Sequence, residues 1–286
     1  MLDEKYILRL TEFETNARMK QDRAKAAPFT PKTRSSGTFD ISGRTYHYFV
    51  SDFIPGEDLW NALTTLTDGQ QTDIGKDVAG FLNALHSITG NHYDIGHYIP
   101  TIPEYKGSWK DGYLAYAEIL QNGLNNFEID TKNRKLFDRA FDYIHAHIGA
   151  LTYQTGPRLL HNDFHPKNII VRGGRLAGVI DWECSQFGEA DFDLAHLFHW
   201  CIYPPEPGHN SRAFLKSALE NLRVLNDVPG FAERMTIYQL EHELNQLVWN
   251  GKRQEAERTK RIDGWLSGGI HKFIDDMRVA KRTDGE

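Results

Sequence analysis

His161-Asn162-Asp163-Phe164-His165-Pro166-Lys167-Asn168 runs directly into Ile169-Ile170-Val171, the turn Arg172-Gly173-Gly174-Arg175, a second apolar run from Leu176 to Ile180, and then Asp181-Trp182-Glu183. Two glycines between two apolar runs supply the positive φ angles that a tight hairpin turn needs. Such a hairpin returns the chain beside its start, so Asn168 and Asp181 are expected together although thirteen positions separate them. Two hard oxygen ligands would then share one site. Magnesium suits that pair, because it prefers octahedral oxygen coordination and keeps phosphate oxygens and water as its remaining ligands.

The spacing Asp, four residues, Asn is also the catalytic-loop pattern of kinases, in which the Asp accepts the proton of the attacking hydroxyl and the Asn binds a metal ion. Asp181 falls where the metal-binding Asp of the D-F-G element belongs. The segment from His161 to Leu197 therefore resembles the signature of the aminoglycoside phosphotransferase and choline kinase family. The likeness continues through Gly188-Glu189-Ala190-Asp191-Phe192-Asp193-Leu194-Ala195, which is similar to the family's G-D-P-x-x-D-L-A element with Glu189 and Ala190 as departures. Weaker similarity reaches Leu85-His86-Ser87 at a helix end, and Phe53-Ile54-Pro55-Gly56-Glu57-Asp58-Leu59 resembles the hinge.

What the resemblance implies is an α+β, protein-kinase-like, two-lobed fold. Residues 1–56 would form a small, truncated N-terminal sheet lobe, and residues 57–286 a large helical lobe carrying the catalytic loop. Asp163 would be catalytic; Asn168 and Asp181 would hold Mg2+. Backbone groups at Asp52, Phe53 and Ile54 would meet the base of ATP, with GTP as the alternative donor. Arg9 would touch the phosphates, with Glu14, or Glu12, as its partner. His161 would pack against the loop backbone and Asp193 would buttress the loop. In this family a hairpin precedes the strand of the phosphate-contacting cation. Only five residues precede Tyr6 here, so the expectation is that the phosphate-covering loop is missing and nucleotide binds weakly.

A protein kinase is the near competitor, and three departures argue against it. Asn162 replaces the Arg of H-R-D, Trp182-Glu183 replaces the Phe-Gly of D-F-G, and no A-P-E follows.

Outward from this segment, Tyr6 to Leu10 reads as a strand, and Glu14 to Ala27 as a helix stopped by Pro28 and Pro31. Thr38 to Ile41 and Thr45 to Phe53 flank Ser42-Gly43-Arg44 and read as a hairpin. Helical spacing then takes over in Val78, Phe81, Leu82, Leu85 and Ile88, in Phe137, Phe141, Ile144 and Ile148, and in Leu215, Ala218, Leu219, Leu222 and Leu225.

The composition of the 286 residues excludes several classes. Hydrophobic residues at 40% and charged residues at 25% are ordinary for a globular protein. Two cysteines, Cys184 and Cys201, form no disulfide framework and no C-x-x-C pair, which places the chain in a reducing, cytoplasmic setting. No apolar run of about 18 residues and no signal peptide is visible, so no membrane is expected. A net charge of −6 argues against nucleic acid as a partner. Lys252-Arg253 and the run Arg258 to Arg261, alternating with Glu255 and Glu257, read as a solvated helix face.

The expected partner is a small hydroxyl-bearing molecule with at least one amine. Ile237, Leu244 and Val248 lie within about 20° of one helical direction and Glu241 lies about 40° from it, an acid on an apolar face. Glu241 and Asp191 are therefore candidates for a substrate ammonium, with a salt bridge to Lys or Arg as the plainer account of Glu241. Trp109 and Tyr113 read as core rather than a ligand platform. His196, His199 and Cys201 read as helix core or surface rather than a zinc site. Ser185 has no G-x-S-x-G context and supports no serine hydrolase. Two other functions stay open: a catalytically silent scaffold, and a metabolic kinase of choline or homoserine type.

Overall fold

The computed structural model describes residues 5–11, 27–94, 107–152, 155–203, 209–222, 229–251 and 254–283. The chain divides into two compact units: Met1–Gly90 with Arg158–Asn226, and Asn91–Pro157 with Asp227–Glu286.

The first unit holds every described strand. β1 (Tyr6–Thr11), β2 (Thr33–Ile41) and β3 (Arg44–Asp52) form an antiparallel sheet of order β1-β3-β2. The β2–β3 turn places Ser42 and Gly43 at positive φ, and Phe39 stacks on Tyr46 at 5.7 Å across the hairpin. β4 (Glu57–Asp58) leads into α1 (Leu59–Ala62), whose first turn is capped by the Asp58 carboxylate. α2 (Asp68–Leu85) starts at a capping box in which Thr67 and Gln70 satisfy each other's backbone N–H groups. It stops at Leu85, so Ile88 lies outside the helix. There, instead, the Ile88 carbonyl accepts from the N–H of Leu159 in β5 (Arg158–Leu160).

β6 (Ile169–Arg172) and β7 (Arg175–Val179) make the expected hairpin, with Gly173 and Gly174 at φ 61° and 73°. β8 (Gln186–Gly188) pairs with β5, and α5 (Asp193–Ile202) follows. α6 (Arg212–Asn221) packs on α2 at Gly75, where an added Cβ would meet the Phe214 carbonyl oxygen at 2.5 Å. Close packing of these two helices therefore depends on that missing side chain.

The second unit is helical: α3 (Trp109–Asn125), α4 (Thr131–His147), α7 (Phe231–Asn250), α8 (Glu255–Leu266) and α9 (Gly269–Thr283). Trp109 and Tyr113 are buried core residues, with the Trp109 Nε1–H donating to the Tyr238 hydroxyl at 3.1 Å.

Two sequence expectations need correction here. α7 is buried on almost every side, polar residues included, so the idea of one apolar stripe with an intruding acid does not describe it. Arg258 and Arg261 do not form a solvated face. Arg258 is buried, and both guanidinium groups grip the buried Glu243 of α7, at 3.1 Å from Arg258 Nη1 and 2.5 Å from Arg261 Nε. The expected helix from Glu14, most of whose length is residues 14–26, and Glu12, Glu14, Leu225 and Lys252-Arg253 lie outside the described residues.

Candidate active site

The loop between β5 and β6 is fixed from beneath by one carboxylate. Asp193, at the start of α5, accepts the backbone N–H of His161 at 3.1 Å and of Asn162 at 2.7 Å, and its Oδ2 lies 2.9 Å from His86 Nε2. Asp193 is 1% exposed, so these partners take the place of water around a buried acid. Holding two successive N–H groups on one carboxylate requires a sharp local bend. Asn162 supplies it by adopting φ 65°, a conformation that Asn tolerates better than most residues.

His161 then ties the loop to the far end of the hairpin. Its Nδ1 accepts the Asp163 N–H at 3.3 Å and its Nε2 donates to the Ile180 carbonyl at 2.8 Å, which defines the neutral Nε2–H tautomer. Burial drives its proton affinity down, in keeping with a neutral ring. Ile180 N–H in turn donates to the Asn168 carbonyl at 2.9 Å. The hairpin thus brings together the backbone flanking Asn168 and Asp181. Phe164 stacks on Phe81, and Trp182 packs against both Phe81 and His161, which forms an aromatic floor under the loop.

Asp163 carries hydrogen bonds on both oxygens. Asn168 Nδ2 donates to Oδ2 at 3.2 Å and to the Asp163 carbonyl at 2.9 Å, while His196 Nδ1 lies 3.0 Å from Oδ1. His165 Nε2 stands 3.5 Å from the same Oδ1, with its ring stacked on Trp200. Burial works against ionisation of Asp163, but the interactions with His165 and His196 outweigh it and hold the carboxyl well below its usual range. His196, read from the sequence as helix core or surface, thus stands against the candidate catalytic acid. The available signal was its position three residues after Asp193, one turn along the helix that Asp193 begins.

Asp181 occupies the left-handed region at φ 66° and forms an ion pair with Arg9 at 2.7 Å; Arg9 also meets Glu183 at 2.9 Å. These residues edge a cavity of about 340 Å³ lined by the apolar side chains Ile7, Phe49, Ile54, Ile170 and Ile180 and by Asp52 and Phe53. The N–H groups of Asp52 and Phe53 are bonded to the Lys32 and Lys5 carbonyls, and Arg34 grips the Asp52 carboxylate at 2.6 and 2.9 Å. Ile54 lies directly over Gly178, where a Cβ would collide with its Cδ1. The cavity thus has apolar walls and a charged rim.

The two candidate substrate acids are placed differently. Asp191 is 1% exposed in the single turn before α5. Glu241 is 5% exposed in the second unit, accepting the Tyr113 hydroxyl at 2.9 Å and Asn245 Nδ2 at 3.4 Å. Burial and the Glu241 charge push the Tyr113 phenol well above its ordinary value.

Comparison with known proteins bears on the family and the fold. The sequence model of the phosphotransferase enzyme family matches residues 5–257. Hygromycin-B 4-O-kinase of Escherichia coli is 38% identical over 42 residues, a stretch that spans 15% of this chain and 12% of that relative's length. Among solved structures, a thermostable mutant of aminoglycoside phosphotransferase APH(4)-Ia, in ternary complex with ADP and hygromycin B, matches with a TM-score of 0.67. That match has 20% identity and covers 92% of this chain and 86% of that one. The streptomycin–ATP ternary complex of APH(2'')-IIa matches with a TM-score of 0.60 at 18% identity, covering 94% of this chain and 87% of that one. At such identities the likeness is one of fold, and the fold is the kinase-like one that the loop motif implied.

Proposed function

Because this chain belongs to the phosphotransferase enzyme family, we propose that it transfers the γ-phosphoryl group of ATP to a hydroxyl of a small, aminoglycoside-like, amine-bearing acceptor. The observation that carries the reading is the double hold on Asp163 by Asn168 and His196, in a loop braced by Asp193. In phosphoryl transfer there is little covalent work for the protein, so positioning and charge stabilisation are what a site must supply.

In this reading residues 1–56 act as the sheet lobe and 57–286 as the helical lobe. Adenine lies in the apolar cavity beside Asp52, Phe53 and Ile54, and Asp163 orients the attacking hydroxyl. The residues present fit magnesium: the Asn168 amide nitrogen is committed to Asp163, so its oxygen is the atom left for a cation. Asp181 supplies the second oxygen, and the ion it holds would neutralise charge spreading over the phosphoryl oxygens. Arg9, already at the cavity rim, is the candidate phosphate contact. Asp191 and Glu241 are the candidate amine-binding acids, and Glu241 would exchange its Tyr113 partner for the ammonium.

Hygromycin B, streptomycin, gentamicin, choline, homoserine and a neutral sugar, each offered with Mg-ATP, test the proposal by ATP consumption. Transfer to an aminoglycoside, lost in Asp163→Asn and weakened towards Mg-ATP in Asp181→Ala, is the expected result. A wild-type rate in Asp163→Asn would overturn it. For the acceptor class, an amine substrate whose KM ignores Glu241→Gln would remove Glu241 from the site.

A further inference from the structure

We propose that His196 is a positioning residue for phosphoryl transfer, acting through the carboxylate of Asp163. The inference rests on the role given to Asp163 above. A carboxylate only accepts hydrogen bonds, so the nitrogen facing it, His196 Nδ1, carries the proton. That donor reaches Oδ1 at 3.0 Å, and Asn168 Nδ2 reaches Oδ2 at 3.2 Å. Rotation of the carboxylate about its Cβ–Cγ bond breaks one contact or the other, so the pair fixes its plane. His165 is a poorer clamp, at 3.5 Å a distance that is long for a hydrogen bond.

The anchoring of His196 is what makes the hold rigid. It sits one turn into α5, the helix that begins with Asp193. One helix end therefore holds the loop twice: Asp193 fixes the main chain at His161 and Asn162, and His196 fixes the reactive side chain one residue further on. At 16% exposure the His196 side chain is largely shielded from water, which strengthens a hydrogen bond to an ionised acceptor.

The test uses the full chain, Mg-ATP and the best acceptor from the screen above. His196→Ala should lower kcat by about tenfold to a hundredfold, the scale of a misplaced reacting group, with the KM for ATP unchanged. His196→Asn, whose amide Nδ2 can stand where the imidazole Nδ1 does, should recover most of that loss at an unchanged Tm. An unaltered kcat in His196→Ala, an Asn variant no better than Ala, or a nucleotide KM that moves with kcat would each overturn the proposal. Nitrogen-15 NMR of the histidines supplies a readout that needs no turnover. The expected spectrum shows His196 protonated at Nδ1 and shifted by Asp163→Asn; a ring protonated only at Nε2, or blind to that change, rules out the clamp. If wild type transfers phosphate to no acceptor, the functional reading fails while the NMR result still decides the contact.

Discussion

Asp193 and Glu243 are both buried acids, and their partners differ in kind. Asp193 accepts two backbone N–H groups and faces the ring of His86. Glu243 faces two guanidinium groups, of Arg258 and Arg261, across the α7–α8 contact. A charge satisfied by main-chain donors dictates the path of a loop, here the one that presents Asp163. A charge satisfied by two long side chains fastens one helix to another and leaves the local backbone alone. Asp193 thus serves the shape of a site in the first unit, and Glu243 serves cohesion in the second.

The sharpest way to break that contrast is to remove Asp163, Asp193 and Glu243 in turn. Asp163→Asn leaves the bracing intact, so activity should fall by ~10²–10⁴ with the Tm nearly unchanged. Asp193→Ala should match that loss and also destabilise the protein, because stranded buried donors cost ~1–3 kcal/mol each. Steady-state kinetics beside urea denaturation separates the two. A stable, active Asp193→Ala would mean the loop holds its shape unaided.

Glu243→Ala strands the buried Arg258, a change worth ~3–5 kcal/mol when one partner of a buried pair is lost. Urea midpoints should show that cost, with the ATP KM of the folded fraction unaltered. A changed KM would show that the helix clamp reaches the nucleotide.

Glycines give a smaller contrast. Gly75→Ala drives a Cβ against the backbone of α6 at 2.5 Å and should cost ~1–3 kcal/mol as overpacking. Because α2 ends beside His86, kcat should fall too. Gly123→Ala first meets the Val248 side chain, at 2.8 Å. Its packing strain is offset by ~1 kcal/mol of helix propensity, so near-neutral stability and full activity are expected.

The gentlest probe is pH. Burial lowers the folded pKa of His161 from its ordinary 6.5, so the unfolded chain binds more protons below that value and stability falls as pH drops through it. Burial raises Glu243 from its ordinary 4.5 even against its two arginines. There the folded state binds more protons, and stability is lost as pH climbs above 4.5. Denaturation midpoints across that range should lose the first slope in His161→Gln and the second in Glu243→Gln.

These two regions were not equally legible in the sequence. The hairpin and its flanking Asp163, Asn168 and Asp181 are local: a glycine pair and a fixed spacing determine them, and the structure brings them to one end of the hairpin. Asp193 was readable only as part of a familiar pattern, since nothing in residues 188–195 says that its partners lie 31, 32 and 107 positions upstream. His196 and Glu243 were missed because their partners come from distant segments, and a charge run such as Arg258 to Arg261 looks the same whether its counterpart is water or a buried acid. Periodicity failed on α7 for a related reason. A helix covered on all sides has no stripe to read, and its acids report partners rather than exposure.

Asn162 and Asp181 bracket the site, and both hold left-handed backbone without being glycine, in a region that costs an ordinary side chain ~1–2 kcal/mol. A chain under selection for durability alone would drift towards glycine at Asp181, whereas at Asn162 glycine would also strip the side-chain oxygen that accepts from the buried Gln186 Nε2 at 3.0 Å. At Asp181 that drift would relax the main chain while erasing the carboxylate that meets Arg9. The strain is therefore a ledger of what the site is for: these are places where a more robust protein and a working one part company, and where a stabilising substitution is the one to distrust.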